Sequence, residues 1–96
     1  MLTYDETKRQ TNLAKHGLDL ADAYRVYDAL NKLTLESPRG NEPRQMDIAL
    51  VDVMGVVLAL VYVKRGETVR VISLRRASKA ERKLYENAEQ NGLGKS

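Results

Sequence analysis

The sequence contains no cysteine, no phenylalanine and no tryptophan, with only two prolines and a single histidine among its 96 residues. Without cysteine there are no disulfides, no thiolate metal ligands and no cysteine nucleophile. One histidine is too few for a structural transition-metal site, so no metal is expected. No glycine-rich phosphate loop and no Ser-His-Asp arrangement occurs, so no cofactor is expected either. Aromatic packing rests on five tyrosines, each with a hydroxyl that needs a partner when buried. The longest apolar run, Val56 to Val63, is eight residues, far short of the ~20 that span a bilayer. The opening MLTYDETKRQ is too polar for a secretory signal. The expectation is a cytoplasmic protein with no membrane contact.

What is present is a single small domain, residues 1–96, with a core over about residues 2–90 and a flexible tail at 91–96. A chain this short buries only about 60–65% of its unfolded surface, which leaves a thin stability margin. Hydrophobic residues make up 43% and charged residues 30%, a globular balance. Net charge is only +3, but it is unevenly spread. From Lys64 to Tyr85 eight Lys or Arg stand against two Glu, while the rest of the chain has eight basic and eleven acidic side chains. Such segregation favours an anionic partner for the second half.

Local signals order the elements. MLTY reads as a first or edge strand. Asp5 is an N-cap with Glu6 beside it, and Lys15, His16 and Gly17 close a helix over Glu6–His16. Asp19 caps a second helix, Leu20–Leu30, with Ala23, Val26, Tyr27 and Leu30 as its apolar stripe. Leu33–Leu35 is a short strand. The Pro, Gly and charge of ESPRGNEPRQ, Glu36–Gln45, predict a loop and the best place for a mobile flap. Met46, Ile48 and Leu50 alternate with Asp47, Ala49 and Val51, a half-buried strand with polar positions on one side.

Asp52–Gly55 turns the chain into Val56–Val63, apolar at every position and therefore a central strand covered on both faces. Arg65-Gly66 is a tight hairpin candidate. In the returning strand Val69, Val71 and Ser73 face one side, Arg70, Ile72 and Leu74 the other. Ser78 and Glu81 form a capping box for a third helix, with Ala80, Leu84 and Ala88 on one side and Lys79, Arg82 and Lys83 outside. The fold class is α+β: an antiparallel sheet of four to five strands, two N-terminal helices and one C-terminal helix. The first two helices cover one face. One helix is too little for the other, so a partner protein is expected to complete it, giving a hetero-oligomer.

Two separated motifs carry a family resemblance. The first is Asp5, Glu6, Lys8, then Asn12, Leu13, Lys15, His16 and Gly17 before an amphipathic segment. The second is Arg70, Val71, Ile72, Ser73, Arg75, Ala77, Glu81, Arg82 and Tyr85. Together they resemble the BrnT toxin family over roughly Leu2 to Glu86. Tyr4, Leu20 and Pro43-Arg44 depart from that pattern, which has Trp, Phe and Glu-Arg there. The resemblance implies a RelE-like fold and a type II toxin, a ribonuclease that arrests translation and growth. It implies a cognate antitoxin with a ribbon-helix-helix domain, and contact with operator DNA indirectly through that antitoxin.

Cleaving RNA without a metal requires proton transfer from the 2′-OH and to the leaving 5′-oxygen, and positive charge beside the pentavalent phosphorane. Arg75, near the strand exit, is the first candidate to hold and stabilise the phosphate, because a guanidinium binds phosphate through two bonds and stays charged. Arg70 is the second. Strict alternation puts the two on opposite faces unless a bulge intervenes. His16 alone has an unperturbed pKa near neutrality, though a cation at a helix C-terminus also has a purely structural use. Tyr85 is a candidate proton donor or a packing residue, and Glu67 a candidate base or a solvated hairpin flank. Arg76, Lys79, Arg82, Lys83, Lys64 and Arg65 are the candidate RNA-binding cations. The alternative is a non-catalytic basic module that binds an acidic partner or nucleic acid as a corepressor.

Overall fold

The computed structural model describes residues 1–39 and 42–92, with residues 37–39 described by backbone alone. The element order is β1 (Leu2–Thr3), α1 (Glu6–His16), a 3₁₀ turn (Leu20–Asp22), α2 (Tyr24–Tyr27), β2 (Leu33–Arg39), β3 (Glu42–Val51), β4 (Val56–Arg65), β5 (Thr68–Arg76) and α3 (Lys79–Gln90). The five strands form one sheet in the order β1-β5-β4-β3-β2. The β2–β3, β3–β4 and β4–β5 pairs are antiparallel, and β1 alone pairs in parallel, with β5. This is the α+β class read from the sequence, with β4, the uniformly apolar strand, at its centre.

Caps sit where composition puts them. The Asp5 carboxylate accepts from the Thr7 amide to start α1, and Gly17, at φ 68°, ends it in the left-handed conformation. Ser78 and Glu81 make the reciprocal capping box of α3. The second helix is shorter than its Leu20–Leu30 pattern. Its first turn closes through three-residue hydrogen bonds, Asp22 N–H to the Asp19 carbonyl and Ala23 N–H to the Leu20 carbonyl. In that tighter winding residues three apart eclipse, which stacks Leu20, Ala23 and Val26 into the core. Leu30, placed on the stripe by helical spacing, lies past the helix end and is exposed.

Cross-strand pairing assigns the faces. Asp47, Ala49 and Val51 share one face with Leu60, Leu58 and Val56, and with Leu74 and Val71 on β5. The Tyr27 ring meets Tyr62 edge-on at 5.3 Å, so α2 lies on this face. The expected polar side of β3 is therefore its helix-covered side. Asp47 is fully buried there, and three donors satisfy it: Lys32 Nζ at 2.9 Å, Thr34 Oγ1 at 2.7 Å and the Tyr62 hydroxyl at 2.9 Å. Lys32 also donates to the Tyr27 carbonyl and lies over the Tyr27 ring. A buried carboxylate persists only when it is matched in this way. Desolvation, then the bond to Asp47, push the Tyr62 hydroxyl above its ordinary pKa.

Within Glu36–Gln45, residues 36–39 and 42–45 continue the paired strands β2 and β3 rather than forming a loop. Glu36 pairs with Gln45, Ser37 with Arg44 and Pro38 with Pro43. Proline and charge are tolerated because β2 is the outer strand, where missing ladder donors cost little. Of the flap expected over Glu36–Gln45, residues 40–41 lie outside the described residues, as does the tail beyond Gly92. In α3 it is Tyr85 that is buried, while Leu84 and Ala80 are exposed. The Tyr85 hydroxyl donates to the Asn31 carbonyl at 2.9 Å.

Candidate functional site: a cationic groove at a strand bulge

The β4–β5 register changes between Val61 and Tyr62: Val61 pairs with Ser73, Tyr62 with Val71. Ile72 is the extra residue, a β-bulge. Its first effect is on side-chain direction. Val69, Val71 and Leu74 face the helix-covered side, and Arg70, Ser73 and Arg75 the other, replacing the strict alternation read from the sequence. Arg70 pairs with Val63 and Arg75 with Ala59, odd-numbered residues of one strand that share a face. The two arginines are thus brought to the same face, roughly 13 Å apart along the strand at ~3.3 Å per residue.

On that face the bulge joins two depressions. One, about 190 Å³, is lined by Arg44, Gln45, Met46, Val61, Ile72, Ser73 and Arg75. The other, about 230 Å³, is lined by Lys8, Thr11, Asn12, Lys15, His16, Ile72 and Ser73. Ile72 and Ser73 line both, so the two depressions adjoin at the bulge and together make a cationic groove region. Its walls carry Lys8, Lys15, His16, Arg44 and Arg75, and no carboxylate lines it. Lys8, Lys15 and Arg44 have no ion pair among the described residues.

Helix α1 reaches the groove because Asn12 ties it to the edge of β5. Strand β1 stops at Thr3, leaving the Leu74 backbone without a strand on the side away from β4. The Asn12 amide replaces it: Nδ2 donates to the Leu74 carbonyl at 2.7 Å, and the Leu74 N–H donates to Oδ1 at 3.1 Å. Asn12 also donates to the Leu18 carbonyl, anchoring the turn after Gly17. Lys8 and His16 flank Asn12 one helical turn away on either side, so the same row that docks the helix delivers both side chains.

Arg75 is held in place. Its Nη1 and Nη2 donate to the two Glu81 carboxylate oxygens at 2.7 and 2.8 Å, and Nη1 also donates to the Arg76 carbonyl at 3.3 Å. The Ser78 N–H donates to the same carboxylate at 2.8 Å. Glu81 therefore caps α3 and positions Arg75 at once. The Arg75 guanidinium first, and the Ser78 amide after it, hold the Glu81 carboxyl down at about 2 against opposing desolvation.

The remaining candidates are dispersed. Arg70 is half-buried beside β1, opposite Thr3, and its charge makes a small contribution to a lowered Asp5 pKa that the Thr7 and Lys8 amides dominate. Glu67 sits in the two-residue turn Gly66–Glu67, one residue later than predicted, where its carbonyl accepts from the Met1 ammonium. Tyr85 is buried with its hydroxyl engaged by the Asn31 carbonyl, and it lines neither depression of the groove. Arg65 forms a two-bond pair with Glu42, and Lys64 is exposed next to it. Lys79, Arg82 and Lys83 lie on the outer surface of α3, and Arg76 is exposed near its start. Lys8, Lys15, Arg44 and Ser73 line the groove without having been singled out as site residues. The spacing of Lys8, Asn12 and His16 was a legible signal; the bulge that completes the groove was not. Among the described residues no three His, Asp or Glu side chains gather as metal ligands.

An α+β domain with a cationic groove that no carboxylate lines presents a surface of the sign that attracts a polyanion. The chain belongs to the BrnT family: the family model described as the ribonuclease toxin, BrnT, of type II toxin–antitoxin systems matches residues 4–81. That match contains every residue lining the groove. Membership supplies a ribonuclease at family level, an RNA target and an antitoxin partner. No curated protein matches the chain, and among the described residues no helix is long and apolar enough to cross a membrane.

Proposed function

We propose that the chain is a metal-independent endoribonuclease whose reacting phosphate lies in the groove between α1 and β5. One observation carries this reading: cations from three elements, α1, β3 and β5, line two adjoining depressions with no carboxylate among the lining residues. In the reaction the 2′-OH gives up its proton as its oxygen bonds to phosphorus. The bond to the 5′-oxygen breaks and that oxygen takes a proton, leaving a 2′,3′-cyclic phosphate and a 5′-OH. Arg75, preoriented by Glu81, and Lys15 stabilise the charge that builds on the phosphorane. His16 exchanges protons at one of the two oxygens. Lys8 and Arg44 bind the flanking phosphates, with Arg70 further along the same face. Arg76, Lys79, Arg82, Lys83 and Lys64 extend the positive field that steers RNA to the site.

In the cell this activity stops translation and growth until an antitoxin with a ribbon-helix-helix domain binds the toxin. The complex then reaches operator DNA through the antitoxin, in the cytoplasm. Incubating purified chain with RNA in chelator-treated buffer tests the reaction. Arg75→Ala is expected to cut cleavage by about 10²–10³-fold, with unchanged circular dichroism and cyclic-phosphate ends lost. Salt-dependent RNA binding without cleavage would instead make the chain a binding module.

A further inference from the structure

A cleft of about 500 Å³ lies apart from the cationic groove. It lies at the opposite end of β3, between α3, the segment joining α2 to β2, and the turn joining β3 to β4. Four large apolar side chains line it while open to solvent: Leu30 at 90% exposure, Val53 at 74%, Tyr24 at 45% and Leu50 at 44%. Single exposed apolar residues are ordinary, but four around one cleft mark a contact surface. Its polar lining has the opposite sign to the groove. Asp28, Asp52 and Glu89 line it with no ion pair among the described residues, and its one cation, Arg25, is already bound to Asp22 and stacked on Tyr24.

From this pairing of apolar floor and acidic rim we infer that the cleft is the anchor site for the antitoxin, taking a segment with apolar side chains flanked by Lys or Arg. The inference rests on the toxin–antitoxin reading above and adds where the partner binds. Charge selects the occupant. Three unpaired carboxylates repel a nucleic acid. A two-fold contact between copies of this chain would set the same acidic rim against itself. A basic polypeptide segment meets both the apolar and the electrostatic demand. Anchored there, the antitoxin silences the toxin by bulk or by reaching round α3, without an acidic mimic of RNA in the groove.

The test is the affinity of the purified full-length chain for its cognate antitoxin, with RNA cleavage by the free chain scored separately. Leu30→Asp and Val53→Asp alter exposed positions and leave the fold intact. Each is expected to weaken antitoxin binding about 100-fold, as truncation of an apolar anchor does, with cleavage unchanged. Asp52→Lys is expected to weaken it about tenfold and flatten its salt dependence. Affinity within threefold of wild type in both apolar variants overturns the inference. So does loss of binding on Lys15→Glu in the groove instead, or sedimentation showing that the free chain self-associates through the cleft. A free chain that binds antitoxin through this cleft yet cuts no RNA would defeat the ribonuclease reading alone.

Discussion

The two faces of the sheet treat charge in opposite ways. On the face beneath α2, the one buried carboxylate, Asp47, is matched by three donors. On the other face, around the bulge, Lys8, Lys15 and Arg44 are left without ion pairs among the described residues, and only Arg75 is matched, by Glu81. Charge that is fully matched holds a structure together; charge left unmatched along a groove is available to a ligand. The contrast separates structural from functional polar residues without reference to their sequence neighbourhood.

The largest expected effect that would break the contrast is on the sealed face. Asp47→Ala strands the Lys32 ammonium and the Tyr62 hydroxyl, and is expected to cost about 3–5 kcal/mol, measured by denaturant unfolding. A loss under 1 kcal/mol would mean that the network is not what fixes that face. Next comes Glu81, which belongs to both categories. Its folded pKa, about 2, lies below the ordinary value of 4.5, so its contribution is complete above about pH 4.5 and disappears as pH falls through about 2. Stability measured from pH 5 to pH 2 should fall, and Glu81→Gln should flatten that part of the curve. An unchanged slope would remove Glu81 from the account. The smallest effect on folding belongs to the open face. Arg44→Ala should change stability by less than about 0.5 kcal/mol while weakening RNA binding several-fold and lowering its salt slope by about one unit. Marked destabilisation would show that Arg44 is structural.

Much of the fold was legible because its signals are local. Asp5, Gly17 and the Ser78–Glu81 box each act within a few residues, and all three set helix ends as their chemistry directs. The run Val56–Val63 placed β4 at the centre through burial on both faces. What was not legible depended on distant partners. Asp47 reads as a solvent-side residue until Lys32, Thr34 and Tyr62 converge on it. Pro38 and Pro43 read as loop residues, and only their place beside an outer strand lets them pair. Of the site, Arg75 and His16 were legible by residue type, and Arg70 by proximity in sequence. Their arrangement was not, because an extra residue in a strand leaves no compositional trace. Tyr85, read by type as a proton donor or a packing residue, is buried with its hydroxyl donating to the Asn31 carbonyl.

The bulged Ile72 has a consequence for how such a chain can change over generations. Counting along β5, an odd interval between Arg70 and Arg75 behaves as an even one, because one residue is spent outside the ladder. Losing Ile72 would close the bulge and leave the two arginines at an even interval in a plain strand, so both guanidiniums would keep their face. A residue gained within the ladder while the bulge persists would instead set the two guanidiniums on opposite faces, so this interval tolerates shortening better than lengthening.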